Sequence, residues 1–206
     1  HNGWMLLSYK AEARLSSSKL QMLKFTANDN EVMEEELELK RNASGQIISE
    51  VLTDENPKSY WVAQNNNDQE WVQLAMKSPG TVHAIQLNFH DHEAGIYTRV
   101  EGLKHLFVLE VSTDGQEWET VVDRSKSAKD SPNAYIELSK PVEAQFVRYK
   151  NISVPGTHLA LSEIRVFGLG RGSAPASPKG FTPNRQEDRR DIALSWEAVK
   201  GAQGYN

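Results

Sequence analysis

The chain has 206 residues, 38% of them hydrophobic and including five Trp, six Tyr and six Phe, so it can pack one ordinary domain core with residues to spare. A formal net charge of −5 with both signs scattered along the chain is unlike the basic footprint of a nucleic-acid binder. The lack of cysteine excludes disulfides and cysteine-held zinc, and no apolar run reaches the roughly 18 residues of a membrane span, so insertion in a membrane is not expected.

In chain order, residues 1–10 contain WMLLSY, apolar and strand-like, which reads as the end of an upstream domain. AEARLSSS, residues 11–18, alternates Ala11, Ala13 and Leu15 before a serine run, a strand leading into a turn. Residues 19–45 form a glutamate-rich insertion that suits a short helix or a hairpin, and its charge run reads as a solvated face.

Val51–Leu74 is the most distinctive stretch. Asp54, Asn56 and Ser59 place oxygens closely around Pro57, the pattern a hard cation such as calcium uses. An Asx-type turn, with Asp54 bonding backbone amides, is the alternative. Trp61 and Trp71 flank the loop as apolar anchors.

Beyond it, TVHAIQLNF (81–89) sets Ile85, Leu87 and Phe89 on one face and Gln86 and Asn88 on the other, a half-buried strand. A polar knot, HDHEAGIYTR, follows. Residues 105–122 read as a hairpin around Asp114-Gly115. AYIEL (135–139) and AQFVRYKNI (144–152) read as strands separated by a Lys-Pro turn, and LSEIRVFG (161–168) closes the series. About eight short strands without a long helix favour a β-sandwich or barrel. Residues 169–178 are a Gly/Ser/Pro linker, and 179–206 begin a new patterned segment with Trp196. Both ends read as cuts through a longer protein.

Several of these segments resemble one family. Asp54, Asn56, Ser59 and Trp61 match the D-x-N-x-x-[ST]-x-W turn of discoidin domains, also called coagulation-factor type C domains. EWVQL (70–74), VLEVSTDGQEW (108–118), AQFVRY (144–149) and SEIRVFG (162–168) match further strands in the right order. The resemblance covers residues 11–168 and implies an all-β fold, an eight-stranded jelly-roll β-sandwich like that of family-32 carbohydrate-binding modules. Residues 179–206 resemble the truncated start of a fibronectin type III domain. WMLLSYK is similar to the end of a bacterial glycoside-hydrolase domain of family 43. The family's usual glycine after the loop aspartate is Glu55 here, and the bracketing cysteines of animal members are absent.

The resemblance also implies sites. A structural calcium would be held by the Asp54 and Glu163 carboxylates, the Ser59 hydroxyl and the carbonyls of Val51, Asn56 and Ser162. Sugar sites in the family lie on loops at one end and combine His, Arg and Asn with an aromatic ring. In that order this chain offers His90, Asp91, His92, Arg124 and Asn133, with Tyr97 or Tyr60 as the ring. Asn65-Asn66-Asn67 is the next polar cluster, and HDH serves equally well as a capped loop or a contact with an upstream domain. A zinc reading of His90 and His92 needs help from His83, His105 or His158. The expected function is a non-catalytic carbohydrate-binding module of a periplasmic, cell-surface or secreted bacterial glycoside hydrolase. Its ligand would be a galactose-, xylose- or arabinose-containing glycan, and catalysis would sit in an upstream catalytic domain. The alternative is a structural domain bracing that enzyme without binding sugar.

Overall fold

The computed structural model describes residues 3–27, 31–92, 104–171, 176–185 and 192–200. The chain forms two compact units, His1–Arg171 and Gly172–Asn206. The first contains β1 (Met5–Leu6), β2 (Glu12–Leu15), β3 (Leu20–Ala27), β4 (Glu31–Glu36), β5 (Lys40–Arg41) and β6 (Ile47–Ser49). It continues with β7 (Ser59–Val62), β8 (Trp71–Phe89), β9 (Leu106–Ser112), β10 (Glu119–Asp123), β11 (Asn133–Ser153) and β12 (Ala160–Gly170). No helix occurs among the described residues.

Every pairing is antiparallel, and β8 and β11 run side by side through both layers of the sandwich. With their first and last halves respectively they join a layer ordered β10-β9-β11-β8-β2-β6-β5. With their other halves they join a layer ordered β11-β8-β12-β7-β3-β4. The result is a curled jelly-roll β-sandwich.

The corner between the layers explains two misread segments. Ladder pairing jumps from Phe146↔Ala75 to Ala144↔Gly80, and from Val142↔Val82 to Glu137↔Ala84. Each strand therefore bulges, over 76–79 in β8 and 138–141 in β11, and Pro79 and Pro141 lie in those unpaired stretches. A proline has no N–H to give a ladder, so bulges are where a long strand tolerates it. The Lys-Pro pair at 140–141 is thus a bend within one strand, and not a turn separating two.

Alternating residues of these strands fill the core: Val72, Leu74 and Met76, then Val82, Ile85 and Leu87, from β8, with Phe107 and Leu109 from β9 and Val147 and Tyr149 from β11. Trp61 is fully buried, and its indole N–H donates to the Ser17 carbonyl at 3.1 Å. The insertion resolves as the hairpin β3–β4, docked through β3 on β7 with Leu20↔Val62 and Leu23↔Ser59 in register. β4 forms the outer edge, where Glu34, Glu35 and Glu36 oppose pairing with another chain.

β1 pairs with β12 through Met5↔Gly168 and Leu6↔Phe167, and the Ser8 hydroxyl accepts the Val166 N–H at 2.9 Å. The segment that reads in sequence as the end of an upstream domain is here laid along the closing strand of the sandwich. In the second unit β13 (Thr182–Arg185) pairs with β14 (Ile192–Ser195), and Phe181 stacks on Trp196 with ring centroids 6.5 Å apart.

At the corner the backbones of β8 and β12 approach so closely that a Cβ on Gly168 would lie 2.0 Å from the Thr81 carbonyl oxygen. Neither atom sits on a flexible side chain, so the strands themselves must part. Gly168→Ala is therefore expected to cost about 1–3 kcal/mol or more, the range for overpacking, read as a lower denaturation midpoint in urea.

Candidate functional site

The loops between strand ends gather at the end of the sandwich marked by Val62↔Ala160, Leu161↔Phe89, Asn133↔Asn88 and Ser153↔Leu106. Glu70, 2% exposed, organises them. Its carboxylate accepts the Ser16 and Ser17 hydroxyls at 2.5 and 2.6 Å and the amide and side chain of Asn65 at 3.1 and 3.2 Å. Asn66 extends the network, donating to the carbonyls of Val154 and Gly156 at 2.6 and 2.8 Å and accepting the Val154 N–H at 2.8 Å. The asparagine-rich loop is thus committed to holding its neighbours.

On this scaffold His90 stacks on Tyr60, ring centroids 3.8 Å apart and 17° from parallel. His92 lies 6.1 Å from Tyr60 and 6.3 Å from His158, centroid to centroid. Lys24 of β3 brings its Nζ to 3.3 Å from His90 Nε2 and 5.3 Å from the Tyr60 ring centre. Lys19 Nζ lies 3.2 Å from His158 Nε2, while His158 Nδ1 faces the Ala63 carbonyl at 3.1 Å. Ammonium groups can only donate, so both Nε2 atoms act as acceptors in these contacts. Burial, and then the Lys24 charge, lower the His90 pKa to about 4.

The remaining expected sugar residues have separate partners. Asp91 is exposed beside His90. The Arg124 guanidinium packs 5.7 Å from the Phe107 ring centre. Asn133 begins β11 opposite Asn88. These residues share the loop end with His90, but Arg124 and Asn133 rest on the β8–β9–β11 side and His90 on the β7–β3 side. Tyr97 lies outside the described residues. Sequence reasoning missed Lys24, although Leu20, Met22 and Lys24 alternate onto one face of β3; it also left Lys19 unassigned and weighed His158 only as a helper in a zinc site. Among the described residues no group of three or more His, Cys, Asp or Glu is placed to hold a metal ion.

The candidate cation loop lies along β12 between β7 and β1, with the Ile164 N–H donating to the Leu52 carbonyl at 2.9 Å. Asp54 Oδ1 accepts the Asn56 N–H and Oδ2 the Ser59 hydroxyl, each at 2.8 Å, so an Asx turn is present. Glu55 adopts a left-handed backbone with φ 62°, the conformation for which a glycine is the default. Its carboxylate meets Arg165 Nε at 3.0 and 3.1 Å. Arg165 Nη2 also reaches Glu163 Oε2 at 2.5 Å, and Asn88 donates to the same oxygen at 3.1 Å. Glu163 Oε1 is buried without a hydrogen-bond partner among the described residues. Burial raises the Glu163 pKa, Arg165 opposes this, and the Glu55 and Asp54 charges raise it further. Burial also raises that of Asp54, against its bonds to Asn56 and Ser59. Val51 is buried above the loop, and the Ser162 hydroxyl donates to the Asn88 carbonyl at 3.2 Å.

The His90 shift has a consequence for stability. Its folded pKa, about 4, lies below the ordinary 6.5, so the unfolded chain binds more protons between these values and stability rises with pH across that window. In Lys24→Met the repulsion is gone, and the His90 resonance in an NMR titration should move to a higher pKa while the fold persists.

No curated protein sequence matches the chain. Among solved structures, CpGH89CBM32-5 from Clostridium perfringens, in complex with GalNAc-β-1,3-galactose, is similar at 11% identity and TM-score 0.54, covering 80% of this chain and 100% of that one. Chitosan-binding module 2 of a chitosanase/glucanase from Paenibacillus sp. IK-5, in complex with chitotriose, is similar at 17% identity and TM-score 0.54, covering 79% and 99%. A family 89 glycoside hydrolase from Clostridium perfringens is similar at 13% identity and TM-score 0.54, covering 82% of this chain and 15% of that one. Identities this low speak for the shared fold alone. The F5/8 type C domain family matches residues 34–164, more than half of the chain, and this protein belongs to that family.

Proposed function

We propose that the first unit is a non-catalytic carbohydrate-binding module that engages glycan at the loop end carrying His90. The observation that carries this reading is the Tyr60–His90 stack with Lys24, His92 and His158 beside it, on loops fixed by Glu70. Tyr60 is buried beneath His90, so the half-buried imidazoles and the Lys24 ammonium are the groups that would orient hydroxyls of a small ligand. Two structures of the same fold hold glycans, GalNAc-β-1,3-galactose and chitotriose, which supports the reading. A third matches over a small part of a long glycoside hydrolase, which supports a place within such an enzyme; an upstream catalytic domain and a secreted, periplasmic or surface location belong to the proposal. The module would raise the enzyme's local concentration on its substrate. The β13–β14 hairpin would begin a fibronectin type III domain.

Isothermal titration with galactose, xylose and arabinose oligosaccharides tests it. Binding at millimolar Kd is expected for one of them, with His90→Ala weakening it and Arg124→Ala weakening it less. Absence of binding to all three would reject the reading. It would favour a bracing role instead, for which the exposed Val32 (68%) and Met33 (45%) of β4 are the supporting observation.

A structural calcium in the Asp54 loop is part of the proposal. Asp54, Glu55 and Glu163 against Arg165 leave a local charge suited to a divalent ion, and Glu163 Oε1 is a buried oxygen with no hydrogen-bond partner among the described residues. Asp54, Ser59 and Glu163 with the carbonyls of Val51, Asn56 and Ser162 would hold the ion, which would staple the loop to β12. Because burial raises both carboxyl pKa values, their charged forms are disfavoured in the folded protein without an ion. Calcium is therefore expected to raise the melting temperature at neutral pH, by the equivalent of about 2.7 kcal/mol at 100 times its Kd. The increment should shrink as the carboxylates protonate on acidification and vanish in Glu163→Gln, read by scanning calorimetry with calcium and with chelator.

A further inference from the structure

We propose that the outer face of the β9–β11–β8 layer carries a second saccharide subsite, built from residues other than the His90 cluster, that takes a hexuronic acid unit of an acidic glycan. Trp71 and Gln73 of β8 stand opposite Lys150 and Arg148 of β11, as the pairs Trp71↔Lys150 and Gln73↔Arg148. The intervening Val72, Val147 and Tyr149 point into the core, so these four side chains share the outward face. They line a recess of about 150 Å³. That is several times the roughly 30 Å³ share of one water and below the roughly 300–1,000 Å³ of drug-sized pockets, so it suits one sugar ring.

The chemistry of the lining selects the ring. Arg148 is fixed before any ligand arrives: its Nη2 and Nε bond Glu110 Oε2 at 2.6 and 2.8 Å, and its guanidinium lies 4.0 Å from the Trp118 ring centre. Lys150 Nζ sits 3.5 Å from Glu110 Oε1 with its side chain 46% exposed, whereas that of Glu110 is 12% exposed. The acid that both cations contact is thus the more buried partner, and the recess itself is lined by an indole, an amide and two positive groups. This local balance runs against a chain of net charge −5. An indole accepts the apolar face of a pyranose, and a guanidinium beside an ammonium suits a carboxylate. Neutral sugars would leave the cations unused, and the ammonium of a glucosamine unit would be repelled.

The test is isothermal titration of the full chain with trigalacturonate, neutral galactotriose and chitosan trimer at low salt. Trigalacturonate is expected to bind and the other two not to bind at this face. Lys150→Ala, a change at an exposed side chain, should weaken trigalacturonate binding about tenfold, as loss of one charge-assisted contact does. Gln73→Ala and Trp71→Ala should weaken it further, with circular dichroism melts checking that each variant folds. His90→Ala should leave it unchanged, so failure of the loop-end reading and failure of this one separate. The inference is overturned if trigalacturonate does not bind, if galactotriose binds equally well with the same response to the variants, or if folded Lys150→Ala and Gln73→Ala bind like the parent.

Discussion

A buried carboxylate with its hydrogen bonds filled is what the loop end of this sandwich depends on. An ion taken out of water costs several kcal/mol unless its oxygens find donors, and Glu70 finds them in Ser16, Ser17 and Asn65. The Asn151 N–H donates to the Glu70 carbonyl at 2.9 Å, so the same residue ties its loop to β11. From there the ties pass through Asn66 to the 154–156 loop. Ala63, on the same loop as Asn65, fixes the His158 ring. The aromatic cluster above β7 is thus positioned by a hydrogen-bond chain that starts in a residue with no contact to it. Most of this chain joins residues far apart in sequence, so removing one partner strands several others.

The Asp54 loop obeys a different constraint. Three acids crowd around one arginine, and Arg165 divides its donors between Glu55 and Glu163. Where glycine is the default residue this chain has a glutamate, Glu55, with positive φ. A side chain in that backbone region costs of order 1 kcal/mol or more. The Glu55–Arg165 contact accompanies that strain and positions Arg165 against the buried Glu163. A glutamate in that place therefore does more than distort the turn, because it adds an ion pair that shares the electrostatics of the proposed cation site.

Legibility in the sequence followed the range of the interactions. The β9–β10 hairpin around Asp114-Gly115, the second half of β8 and the closing strand were readable because period-two alternation and a turn dipeptide are local signals. The Asp54–Ser59 turn was readable for the same reason, and its bonds form within five residues. The long strands β8 and β11 were not, because Pro79 and Pro141 look like terminators until a bulge is available to absorb them. The Tyr60–His90–Lys24 group was also out of reach as a group. It needs β3 in register with β7 and the β8 end folded over both, with Met22 opposite Tyr60, and no window of sequence contains that alignment. The glutamate-rich insertion reads as an indifferent solvated face, yet Lys24 of its first strand is the residue that lowers the His90 pKa next most strongly after burial.

The continuity of β8 and β11 through both layers bears on how the chain is made. Trp71 pairs with Lys150 and Asn88 with Asn133, so the first layer lacks its central pair until residue 150 is made, and the second until residues 133–144 are. At roughly 5–20 residues per second, Trp71 waits about 4–16 seconds for its partner and Asn88 about 2–9 seconds. During that time a nineteen-residue strand with an apolar face has β2 as its earlier-made ladder partner. Met5, at the other end of the chain, waits longest, since its partner Gly168 is in the last strand of the sandwich to emerge. Synthesis thus imposes a holding period on this fold, and the early strands must stay soluble through it unaided by their final neighbours.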